Sequence, residues 1–203
     1  MKGVPMASLI MSALALLVSI TTAWLTLFRR GNLHMTRPVL VCFLYDLPQE
    51  EPKIFFRALL FATGKRGHML ESMFLKVRRG ESAQTFNFWM YGDVKDLKIG
   101  SGLRVGEDGV SFNHHFLPPK HDTAFQFLAG EYVIEVYASV VNRPTPILLS
   151  TVKLSLSQEH AADLRDKRNG VLFTWGPESQ RYAAHVTEAP GFPAQLPLST
   201  VNR

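Results

Sequence analysis

E-Y-V-I-E-V-Y-A-S-V-V (Glu131–Val141) followed by L-L-S-T-V-K-L-S-L (Leu148–Leu156) decides the fold class. In the first run Tyr132, Ile134, Val136, Ala138 and Val140 share one face. In the second, Val152, Leu154 and Leu156 fall on one side and Thr151, Lys153 and Ser155 on the other. Successive side chains of a strand point to opposite faces, so period two with one polar side describes a half-buried antiparallel strand. Asn142-Arg143-Pro144 between the runs supplies turn chemistry. The two segments are therefore expected to pair, with one face in a core.

The same pattern extends outward. Pro38–Tyr45, Lys53–Ala62, Met69–Val77, Thr85–Tyr91 and Gly109–Leu117 read as strand segments rich in Val, Ile, Phe and Tyr, separated by Gly, Pro, Asp and Asn. Gly64-Lys65-Arg66-Gly67 reads as a hairpin-like turn, and Val171–Trp175 and Tyr182–Val186 as two further strands. One soluble helix is expected. Ser157 is its N-cap, Glu159 lies in its first turn, Arg165, Lys167 and Arg168 near its end, and Gly170 is its stop, the charge order that the helix dipole favours. About eight short strands and one helix describe an all-β soluble domain, an antiparallel, immunoglobulin-like β-sandwich over residues 38–186. Gly130-Glu131-Tyr132 matches a tyrosine corner at the start of a late strand; packing of Tyr132 in the core explains the residue equally well.

A different signal precedes the domain. Gly3–Phe28 carries no charge, and A-S-L-I-M-S-A-L-A-L-L-V-S-I-T-T-A-W-L-T-L-F (Ala7–Phe28) is overwhelmingly apolar. At 1.5 Å per residue these 22 residues reach about 33 Å, enough for a hydrocarbon core of about 30 Å. A cleaved signal peptide would have a shorter apolar core and a small-residue cleavage site, which the ending W-L-T-L-F-R-R does not provide. Residues 1–30 are thus expected to be a single transmembrane helix (span 7–28) in the lipid bilayer, residues 31–37 a linker, and residues 187–203, with Pro190, Pro193 and Pro197, an extended tail.

Only Lys2 precedes the span, whereas Arg29, Arg30 and Arg37 follow it. The positive-inside rule then puts the C-terminal domain of a single-pass membrane protein in the cytoplasm. Without Lys2, Arg29 and Arg30, 19 basic side chains face 17 acidic ones in residues 31–203, so the domain is near neutral. That balance argues against nucleic-acid binding, which needs a concentrated basic face. The lone Cys42, between Val41 and Phe43, reads as a buried and inert thiol.

Chemistry-bearing residues are few. His114 and His115, with His121 behind them, are the candidate metal ligands, but neighbouring strand residues face opposite ways and no helical H-x-x-x-H spacing occurs. The Gly64–Gly67 turn lacks the first glycine of a phosphate loop; contact with anionic headgroups, helped by Lys76, Arg78 and Arg79, is its functional alternative. Trp175 and Glu178 in W-G-P-E, together with Asn113 and His115, are the candidate binding residues; Trp175 also fits a plug at the sandwich end. Phe86, Phe88, Trp89 and Tyr91 imply a strand covered on both faces.

Lys53–Phe74, Gly100–Leu117 and Trp175–Glu178, taken with the anchor, resemble a group of bacterial single-span membrane proteins with a C-terminal β-sandwich domain. That resemblance implies architecture and a bacterial setting, and carries over no catalytic residue. The expected function is a membrane-anchored, non-enzymatic interaction module that uses no cofactor and meets a protein partner at the membrane. The alternatives are a tethered metal-dependent hydrolase using His114 or His115 with His121, and an envelope accessory protein binding a sugar or lipid headgroup.

Overall fold

A computed structural model describes residues 6–28, 31–93, 96–119 and 125–188. The His121 candidate and positions 189–203 of the expected tail lie outside the described residues. The chain begins as an α-helix, α1 (Met6–Ala23), that continues as a π-helical turn, Trp24–Phe28. Within it the Ser12, Ser19 and Thr26 hydroxyls donate to the carbonyls of Ser8, Ala15 and Thr22, four residues back. These bonds satisfy the hydroxyls inside the helix and leave an apolar exterior.

Thirteen strands follow among the described residues: β1 (Leu33–Met35), β2 (Leu40–Asp46), β3 (Glu51–Ala62), β4 (His68–Arg79), β5 (Ser82–Phe86), β6 (Phe88–Tyr91) and β7 (Lys98–Ile99); then β8 (Leu103–Val105), β9 (Val110–Leu117), β10 (Gly130–Val140), β11 (Ile147–Leu156), β12 (Asn169–Gly176) and β13 (Arg181–Glu188). One sheet has the order β13-β12-β2-β3-β9-β6-β7, with β1 also beside β3. The other has β11-β10-β4-β5, with β8 beside β4. All pairings are antiparallel. The run β2-β3-β9-β6 stands where an immunoglobulin sandwich has A-B-E-D, and β11-β10-β4-β5 where it has G-F-C-C′. The terminal hairpin β12–β13 extends the first sheet beyond its A position.

The deciding pair behaves as its alternation requires. Ile134 lies opposite Val152 and Tyr132 opposite Leu154, all four buried against the first sheet. Both readings of Tyr132 hold together: its ring is fully buried, and its hydroxyl donates to the Leu128 carbonyl, 2.6 Å away and four residues upstream. Burial pushes this phenol up to about 12. Ile134 occupies the place, two residues on, where immunoglobulin domains carry their second cysteine. Here the position holds a buried aliphatic side chain. Tyr132→Phe is expected to cost about 1 kcal/mol, read as a lower urea midpoint at unchanged slope, because a part-buried hydrogen bond is lost.

Three expectations are corrected. Gly64–Gly67 is not a hairpin turn, since β3 belongs to the first sheet and β4 to the second; the connection arches between layers. Thr85–Tyr91 is not one strand. Phe86 and Trp89 both enter the core, a spacing of three that continuous alternation forbids, so the chain breaks at Asn87 and changes sheet; Phe88 is left exposed. The soluble helix α2 (Gln158–Asp163) is shorter than expected, although Ser157 Oγ caps it by accepting from the His160 amide. Beyond it the Asp166 carboxylate accepts from the Arg168 backbone and guanidinium, a local alternative to further helix, and the chain enters β12 at Asn169.

Candidate functional site

The sequence-expected site residues fall into two places. Asn113, His114 and His115 lie on β9, flanked by β3 and β6; Trp175 and Glu178 lie at the end of β12 and in the turn after it. Three sheet positions separate β9 from β12, so these residues form no common site.

On β9, His114 and His115 face opposite sides, as strand geometry demands. His114 enters the main core beside Phe56, and the Trp89 indole N–H donates to its Nδ1 across 3.2 Å. Its Nε2 is buried with no hydrogen-bond partner among the described residues. Burial, reinforced by neighbouring His115, pushes the imidazole down to about 3. His115 faces away from the second sheet and stacks on Phe55 at 5.4 Å, with its Nε2 3.3 Å from the Gly92 carbonyl. Burial first and the Lys53 ammonium second push it down to about 4, against the opposing pull of the Gly92 bond, Asp46 and Asp93.

Around His115, Lys53 Nζ pairs with Asp46 at 2.7 Å, and Asn113 Nδ2 donates to Asp93 Oδ1 at 3.0 Å. Cys42, opposite Phe55 on β2, joins a second apolar cluster with Leu44 and Phe55. Burial pushes its thiol up. The neighbourhood thus holds two neutral imidazoles and a protonated thiol, all shielded from solvent. Among the described residues no three His, Cys, Asp or Glu side chains converge as a metal-binding group.

Trp175 is half-buried at the other place. Its ring meets Tyr182 edge-on at 5.0 Å, and the Arg37 guanidinium lies over it at 4.0 Å. The Tyr182 hydroxyl donates to the Pro38 carbonyl at 2.6 Å. The cluster ties β12 and β13 to the segment that enters β2, and Glu178 stands exposed in the following turn. Its Arg37 lid was not legible in the sequence, because Arg37 and Trp175 are brought together only by the β2–β12 pairing. The Trp89–His114 bond was hidden for the same reason.

Set against known protein families and curated proteins the chain matches none, and its architecture is an N-terminal apolar helix followed by a two-sheet antiparallel β domain.

Proposed function

We propose that this protein is a single-span, membrane-anchored interaction module without enzymatic activity, its domain held at the cytoplasmic face of a bacterial inner membrane. The observation that carries the reading is the Met6–Thr26 helix: 21 residues, mean hydropathy 2.0, with none of that surface buried against the rest of the chain. So much apolar surface left in water is unfavourable by roughly 25 cal/mol per Å², and a hydrocarbon layer removes that cost. The Arg29, Arg30 and Arg37 excess over Lys2 supports the cytoplasmic side.

The edge strand β13 supports the interaction role. Among the described residues it pairs with β12 alone, with exposed Val186 toward one end and the Trp175–Tyr182 cluster at the other. An eight-residue edge offers unpaired backbone groups to an added strand. Tethering raises the concentration of that edge near other membrane proteins.

The test is fractionation combined with crosslinking. The full chain is expected in membranes after alkaline carbonate extraction with residues 7–28 retained, and a photo-crosslinker at Ala183 is expected to give a discrete protein adduct. A mature N-terminus beyond Phe28 would identify a cleaved signal instead. An anchored chain that yields no adduct would refute the module reading alone. A fluorescent reporter fused after Arg203 reads the side, and a dark cytoplasmic reporter beside an active periplasmic phosphatase fusion would reverse the orientation.

A further inference from the structure

We propose that the cleft between the β3–β4 connection and the end of β10 binds the phosphodiester headgroup of an anionic phospholipid in the host bilayer. This rests on the anchor reading above. The first support is tether length. The apolar helix ends at Phe28, and the chain is already locked to the domain at Gly31 and Asn32. The Asn32 amide donates to Thr63 Oγ1 at 2.7 Å, and the Thr63 amide donates to the Asn32 carbonyl at 2.9 Å. Gly31 has φ +67°, and a Cβ there would come within 2.5 Å of the Gly64 nitrogen. Only three peptide links separate Phe28 from Gly31, a reach of about 11 Å, against a headgroup layer of about 5–8 Å per leaflet. Gly64-Lys65-Arg66-Gly67 is therefore held at the bilayer surface.

The second support is the cleft itself. The β4–β8 register sets Arg104 opposite Met69, beside Arg66. Together with Val140, Val141 and Asn142 these residues line a cavity of about 270 Å³ with no carboxylate in its wall. Two guanidinium groups match the oxygens of a phosphodiester, and half-exposed Met69 with the two valines offers an apolar wall to the glycerol backbone. Glu107 and Asp108 in the β8–β9 turn, and Glu71 further along β4, keep this end from being broadly cationic. Recognition is thus assigned to the cleft rather than to a diffuse field. The helpers named from sequence proximity do not take part: β4 carries Lys76, Arg78 and Arg79 toward the opposite end, where Arg78 pairs with Glu135 at 2.6 Å.

The full chain is reconstituted in phosphatidylcholine vesicles, with and without one third phosphatidylglycerol, and amide hydrogen exchange is followed over residues 63–69 and 140–143. Anionic vesicles are expected to slow exchange there by about fivefold or more relative to neutral ones, as ligation suppresses local opening. The protection should vanish in Arg66→Gln/Arg104→Gln and, without any variant, at high salt. Equal exchange in both vesicles would overturn the proposal. Inorganic phosphate protecting the segments equally in neutral vesicles would also overturn it, assigning the cleft to a soluble anion. A chain that carbonate strips from both vesicles would refute the anchor reading, a failure distinguishable from loss of protection in a retained chain.

Discussion

Phe43→Ala is expected to lower the unfolding free energy by about 3–5 kcal/mol, the range for emptying a large aromatic site. Phe43 is fully buried at the middle of β2, and its ring packs against Phe127 at 4.6 Å, Phe173 at 5.0 Å and Tyr132 at 5.2 Å. Those three residues come from the β9–β10 connection, from β12 and from β10. No single movement closes the hole, because Phe173 is held by its pairing with Val41, Tyr132 by its bond to Leu128, and Phe127 by its edge-on contact with Phe125. A domain stable by about 5–15 kcal/mol would lose much of its margin. Urea unfolding checks this, with half-exposed Leu148→Ala as a control expected within about 0.5 kcal/mol of wild type. A cost below about 1 kcal/mol for Phe43→Ala would mean that the two sheets do not meet around this ring.

Stability should also fall steeply in mild acid. His114 and His115 are held down to about 3 and about 4 in the folded domain, whereas a free imidazole titrates at about 6.5. Between these values the unfolded chain binds two protons that the folded one refuses, so stability rises with pH at about 2.7 kcal/mol per unit. The contribution is complete above about pH 6.5 and is lost as pH falls toward the folded values; at pH 5 the two together remove about 4 kcal/mol. Unfolding free energies at pH 8, 6 and 5 measure the slope. His114→Phe, which keeps an aromatic ring beside Phe56 and Trp89, should halve it. A pH-independent stability over this range would show that both rings reach solvent.

How much was legible depended on the range of the information. Alternation in Glu131–Leu156 determined a pairing whose core face is the observed one. Gly130-Glu131-Tyr132 announced a tyrosine corner, and Ser157 announced a cap. The apolar run before Arg29 determined a helix of spanning length, and adjacency alone placed His114 and His115 on opposite faces. Each of these follows from local stereochemistry: the pleat, the capping geometry and the rise per residue act between near neighbours in the chain.

What only the tertiary structure decided concerns partners. A period-two pattern says which side chains turn inward but not which sheet receives them. That is why Gly64–Gly67 passed for a hairpin turn and Thr85–Tyr91 for one strand. It also explains why Lys76, Arg78 and Arg79 on β4 were grouped with Arg66, whereas the cation that lines the same cavity is Arg104 of β8. The Trp89 bond to His114 and the Arg37 lid on Trp175 likewise exist only because distant strands take up one register. Those contacts close long loops, and their choice among competing pairings is set by the summed burial of two whole faces, a quantity that no short stretch of residues contains.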